Sequence, residues 1–173
     1  MRVLGRRQLI LATLRLQSLI LTGRPLSSSA FSLQMSSSTQ MKTIDSHLHV
    51  WANPSEAKQY PYFPTQEPPP NLATKAATME LLESMTQSNV QGSLIVQPIN
   101  HKFDHSYVAA AIKAHPDKFK GMMLHDPSLP LNEALGKLEE MKSLGFVGVR
   151  YNPYLWPEGE LMSNDVGSEV FKR

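Results

Sequence analysis

The segment Ile44-Asp45-Ser46-His47-Leu48-His49-Val50-Trp51 brings two imidazoles and a carboxylate close together. Apolar Ile44, Leu48 and Val50 between polar residues predict a strand within Met41–Val50. Side chains alternate along a strand, so Asp45, His47 and His49 are expected on one face. Neutral imidazoles at i and i+2 can converge on one cation. A polar strand end fits the same residues, and their types alone leave both readings open.

Further chemistry-bearing residues follow apolar runs. Gln97 closes the run Ser93–Gln97, and His101-Lys102-Phe103-Asp104-His105 comes next. His101 and His105 have a helical metal spacing, but Asp104 reads as the cap of the following helix, which breaks a shared face. Gln97 and His101 are therefore expected to touch substrate from the loop. His125 and Asp126 end a third run, where a lone histidine is most simply hydrogen-bonded. His115, before Pro116 at a helix end, suits the partial negative charge there. Arg150, in Gly148-Val149-Arg150-Tyr151-Asn152, either binds a substrate anion through its planar fork or makes a structural ion pair.

These residues need elements to hold them. Helices are expected from Thr78, as cap, to about Asn89, after Asp104 with Val108, Ala111 and Ile112 inward, and over Leu131–Leu144, ended by Gly145. Strands are expected at Ser93–Gln97, Phe119–Leu124 and Phe146–Tyr151, and a further helix starts near Ser163-Asn164-Asp165. Trp51–Ala77 is a Pro-rich connection that excludes a central strand or a regular helix. Four apolar strands alternating with helices predict an α/β fold with a parallel sheet. All six candidates, His47, His49, Gln97, His101, His125 and Arg150, fall at C-terminal strand ends, the rim where parallel α/β folds build sites.

The chain has 173 residues, 41% of them hydrophobic, 18% charged, and no cysteine. Disulfides, thiolate metal sites and cysteine nucleophiles are excluded. Of 17 Lys and Arg, five arginines (Arg2, Arg6, Arg7, Arg15, Arg24) lie in residues 1–40, which contain no acid. From Met41 onward 12 basic residues face 15 acidic ones, so the basic isoelectric point gives no support for nucleic-acid binding. Residues 1–40 read as a disordered transit peptide, Arg-rich and Ser-rich, with plastid ahead of mitochondrion. A secretory signal, or initiation at Met35 or Met41, is the competing reading. Arg15 and Gln17 break the apolar stretch Leu9–Leu21, so no membrane span is expected.

IDSHLHVW, YPYFP, VQPINHKFDH and GVRYNPYLWP, in that order, resemble the amidohydrolase-related (amidohydrolase 2) family of metal-dependent hydrolases, nearest its lactonase-like branch in a plant-type form. The resemblance runs from about Lys42 to Arg173. It implies a parallel (β/α)8 TIM barrel, here a truncated half-barrel of about four βα units spanning residues 41–173. It also implies a hydrolase of small esters, lactones or amides, with His47 and His49 as the first two ligands of a divalent metal, zinc or manganese. In that scheme the cation activates water and polarises the scissile carbonyl; some lactonases of the branch work without metal, using the histidine pair as polar contacts. Arg150 matches a position holding an acidic substrate. The remaining ligands and an Asp base come from strands five to eight, so the 173-residue chain itself is expected to be inactive. The alternative is a non-catalytic truncated isoform that dimerises or binds the full-length enzyme.

Overall fold

The computed structural model describes residues 42–173; the transit-peptide expectation for residues 1–40 lies outside them. Strands β1 (Ile44–Leu48), β2 (Gly92–Val96), β3 (Phe119–Leu124) and β4 (Phe146–Arg150) form one sheet in the order β1-β2-β3-β4. Every pairing is parallel. Helices α1 (Pro70–Ala73), α2 (Thr78–Gln87), α3 (Ser106–Ala114) and α4 (Leu131–Ser143) lie in the crossovers, and α5 (Asp165–Phe171) follows β4. This is the expected α/β architecture of successive βα units.

The core sits between the sheet and its helices. Ile95, Phe119 and Met123 from the strands pack with Val108, Ile112 and Met141 from α3 and α4. Each such side chain contributes about 1.5–3 kcal/mol by leaving water. Gly121 permits this closeness: a Cβ there would stand 2.5 Å from Phe146 Cδ1 and 2.8 Å from Ile112 Cδ1. On the opposite face Leu94 and Met122 are half-buried and Lys120 is exposed.

Two irregularities redirect side chains. Asp45 and Leu48 are three positions apart in β1, while their partners Ser93 and Ile95 are two apart. The extra residue breaks alternation, so Asp45 does not share the face of His47 and His49. Its carboxylate instead accepts the His47 N–H at 3.0 Å. This corrects the expectation of a three-residue polar face. In β4, Val147 is the extra residue between Phe146, opposite Gly121, and Gly148, opposite Met122.

Helix starts also differ from the sequence reading. Thr78 is the first residue of α2 rather than its cap. The reason is a distant donor and acceptor: the Tyr107 hydroxyl of α3 accepts the Thr78 N–H at 3.1 Å, replacing a side-chain cap. Asp104 does bind the helix start, accepting the Ser106 N–H at 2.9 Å. Asn164 caps α5 by accepting from Gly167 N at 2.9 Å. Gly145 closes α4 with φ +92°, a conformation that favours glycine.

The Pro-rich connection has structure after all. Pro70 opens the four-residue helix α1, where a missing N–H costs nothing. Asn53 and Glu56 cap each other, Oδ1 accepting from Glu56 N and Oε2 accepting from Asn53 N. Asn100, in the loop after β2, then binds the connection at three points. Its Oδ1 accepts from Trp51 Nε1 at 2.7 Å, its Nδ2 donates to Gln66 O at 2.6 Å, and its carbonyl accepts from Phe63 N at 2.8 Å.

Candidate functional site

His47 and His49 leave the end of β1 together. Their ring centroids are 5.3 Å apart with planes at 84°, His47 exposed and His49 half-buried. Trp51 backs the second ring, edge-on at 5.6 Å. His49 Nδ1 lies 2.7 Å from the carbonyl of Val96 on β2. A carbonyl only accepts, so Nδ1 carries the proton and Nε2 keeps its lone pair. Burial lowers the His49 pKa, the Val96 contact opposes this, and Arg150 and His47 lower it further. The ring is held neutral and aimed, the state of a metal ligand.

The pair fits a cation in spacing as well. Two imidazoles sharing an ion at ~2.1 Å, at roughly tetrahedral angles, set their centroids about 5 Å apart. They make only part of a ligand set: among the described residues no cluster of three or more His, Asp or Glu side chains could hold an ion.

Arg150 ends β4 half-buried and donates from Nη1 to the Gln97 carbonyl at 2.9 Å. Among the described residues it makes no salt bridge, since the ion pairs there are the helix-surface contacts Lys137–Glu140, Lys142–Glu139 and Lys172–Glu169. The structural ion pair considered for it is therefore not formed within residues 42–173. Its remaining guanidinium N–H groups are available to an anion.

Gln97 and His101 are placed differently. Gln97 is fully buried, and its Nε2 donates to Lys102 O at 3.1 Å and Asp104 O at 2.8 Å. It braces the loop after β2. His101 is buried too, stacked on Tyr62 at 4.4 Å with Nδ1 3.0 Å from Pro61 O, and burial lowers its pKa. His125 is buried between Tyr151 at 5.3 Å and Trp156 at 5.7 Å, with its pKa also lowered by burial. His115 packs edge-on at 5.9 Å against Phe119, the first residue of β3, away from the C-terminal strand ends.

Sequence reasoning missed His105 as a structural pivot. Its Nε2 accepts the Leu124 N–H of β3 at 3.0 Å inside the core. Burial, aided by Lys137, pushes its pKa down to about 4, against the opposing pull of the Phe103 backbone, Asp104 and Glu140. It missed a second network as well. Tyr107 donates to Glu56 Oε2 at 3.0 Å, Tyr62 donates to the Ala52 carbonyl, and burial drives the Tyr107 pKa up to about 12.

No protein-family profile matches the chain, and no curated protein matches it either. Solved structures do. A probable 2-pyrone-4,6-dicarboxylic acid hydrolase from Acinetobacter baumannii, with citric acid bound, superposes with TM-score 0.58 at 22% identity. The match covers 76% of this chain and 45% of that one. The 5-carboxyvanillate decarboxylase of Novosphingobium aromaticivorans, complexed with manganese and 4-hydroxy-3-methoxy-5-nitrobenzoic acid, gives TM-score 0.54 at 15% identity. There the match covers 77% of this chain and 47% of the other. The chain thus spans less than half the length of either protein. At these identities the likeness carries the fold: βα units of the TIM-barrel kind. Among the described residues no helix is long and apolar enough to cross a membrane.

Proposed function

We propose that residues 42–173 form the β1–β4 portion of an amidohydrolase-related enzyme, lactonase-like, that hydrolyses a small carboxylate-bearing ester, lactone or amide. The observation that carries this reading is the His47–His49 pair, with His49 fixed as a neutral Nδ1–H tautomer on Val96 O. His47 and His49 would hold a divalent cation, zinc or manganese, completed by donors outside the described residues. When bound, that cation supplies Lewis-acid polarisation of the scissile carbonyl. Arg150 takes the carboxylate of the substrate and orients the ring or chain that carries it. Val96 O holds the proton on His49 Nδ1 so that Nε2 stays a donor of electrons. The fold likeness to a pyrone-dicarboxylic acid hydrolase supports a substrate with acidic groups.

A single copy of residues 42–173 offers two donors, so it is proposed to be inactive alone. Its Arg- and Ser-rich, acid-free start supports work inside an organelle, plastid first. The test is titration of the 173-residue chain with zinc or manganese by calorimetry. Binding is expected, lost in both His47→Ala and His49→Ala and kept in His115→Ala. Absence of binding, or binding that survives both single substitutions, overturns the metal-dependent reading.

A further inference from the structure

Both sides of the β1–β2 contact lie within residues 42–173, and beside it stands a chain of three side chains that ends on His49. The Val96 carbonyl holds one point of that imidazole, Nδ1, at 2.7 Å. A single hydrogen bond leaves the ring plane free to tilt, because the outer torsion of histidine has a broad minimum. Two neighbouring rings stand edge-on to it: His47 at 5.3 Å, itself exposed, and Trp51 at 5.6 Å. Trp51 is the anchored one. Its backbone N–H donates to Ala76 O at 3.0 Å and its indole Nε1–H to Asn100 Oδ1 at 2.7 Å, so both ends of the residue are tied.

The Asn100 amide cannot turn over. An indole N–H only donates and a carbonyl only accepts, so Oδ1 must face Trp51 and Nδ2 must face Gln66 O, 2.6 Å away. The Phe63 N–H, donating to the Asn100 carbonyl at 2.8 Å, fixes the backbone of the same residue. An aspartate side chain could accept from Trp51 but not donate to Gln66 O, and a leucine side chain could do neither.

We propose that Asn100 is a positioning residue for His49: it pins the Trp51 indole, and the pinned indole sets the plane of the imidazole and the direction of its free Nε2. Asn100 itself touches no ligand. The consequence for a cation rests on the hydrolase reading above; the coupling of Asn100, Trp51 and His49 stands without it. A lone pair held in one direction binds a cation better than one that sweeps a cone, and outer partners that hold a ligand ring change metal affinity about 10-fold or more.

The test uses the full 173-residue chain, first without metal, at a pH where the imidazoles are neutral. Proton NMR of the unaltered protein is expected to show a slowly exchanging Trp51 Nε1–H and nuclear Overhauser contacts between the indole and the His49 ring. Asn100→Leu is expected to free the Nε1–H and abolish those contacts. Asn100→Asp keeps the acceptor for Trp51 and loses only the donor to Gln66 O, so it is expected to retain both signals. A role confined to fastening the connection would affect the two variants alike, since neither bonds Gln66 O. Calorimetry with zinc follows, with affinity expected to fall about 10-fold in Asn100→Leu and not to fall in Asn100→Asp. Contacts that persist in Asn100→Leu, or vanish equally in Asn100→Asp, overturn the inference, as does zinc binding that Asn100→Leu leaves unchanged. If the unaltered protein takes up no zinc, the metal-dependent reading falls and the NMR comparison alone decides the role of Asn100. Should Asn100→Leu not fold, Trp51→Phe takes its place, keeping an aromatic ring without the N–H. Contacts from that ring to His49 are then expected to be lost, and their persistence overturns the inference.

Discussion

His49 and Arg150 hang from consecutive carbonyls of one strand end, His49 Nδ1 on Val96 O at 2.7 Å and Arg150 Nη1 on Gln97 O at 2.9 Å. One side chain comes from β1 and the other from β4, so the end of β2 sets the spacing between imidazole and guanidinium. Backbone does the positioning, leaving His49 Nε2 and the other guanidinium N–H groups for ligands.

Removing the guanidinium should be felt at the imidazole. Arg150 lowers the His49 pKa, so Arg150→Ala is expected to raise it, and Arg150→Lys to change it less. Proton NMR titration of the His49 ring reads this directly. An unmoved pKa in Arg150→Ala would show that the two groups are not electrically coupled.

Acid should loosen the core through His105. Its folded pKa of about 4 lies below the ordinary 6.5, so the unfolded chain binds the proton first. Stability from this residue is complete above pH 6.5, declines as pH falls toward 4, and levels off below. The span corresponds to roughly 3 kcal/mol. His105→Gln keeps an acceptor for Leu124 N–H without the titration. Urea melts between pH 4 and 7 should show a flatter slope in that variant; an unchanged slope would contradict the assignment.

Gln97 offers a sharp contrast between bracing and substrate contact. Gln97→Leu leaves the Lys102 and Asp104 carbonyls without their donor, an expected loss of about 2–3 kcal/mol. Denaturant unfolding measures it. Unchanged stability would return this side chain to the ligand-binding role expected from sequence.

Tyr107→Phe cuts the bridge from Thr78 N–H to Glu56. A cost of about 1–2 kcal/mol is expected, with faster hydrogen exchange at Asn53–Tyr60 and at the start of α2. Equal exchange throughout would mean that the Tyr107 bridge does not hold the connection.

The alternation of apolar strands and helices was legible because each element follows from local pattern. The runs at Ser93–Gln97, Phe119–Leu124 and Phe146–Tyr151 lie on β2, β3 and β4 to within a residue or so. The nearness of His47 to His49 was legible too, since it needs only a strand between them. What was hidden depends on contacts distant in sequence. Thr78 loses its capping role to Tyr107, 29 residues away. Asp45 leaves the histidine face through a bulge that alternation cannot reveal, and Gln97 turns inward because two loop carbonyls need a donor.

Asn100 fastens Trp51, Phe63 and Gln66 to the loop after β2, while Gln97 grips the next turn of that loop. The wall on this side of the mouth is thus assembled before any visitor arrives, and most of its ordering entropy is already spent in folding. On the proposed function, a substrate entering beside it would meet a loop already ordered by these hydrogen bonds, so less ordering would be left to the binding step.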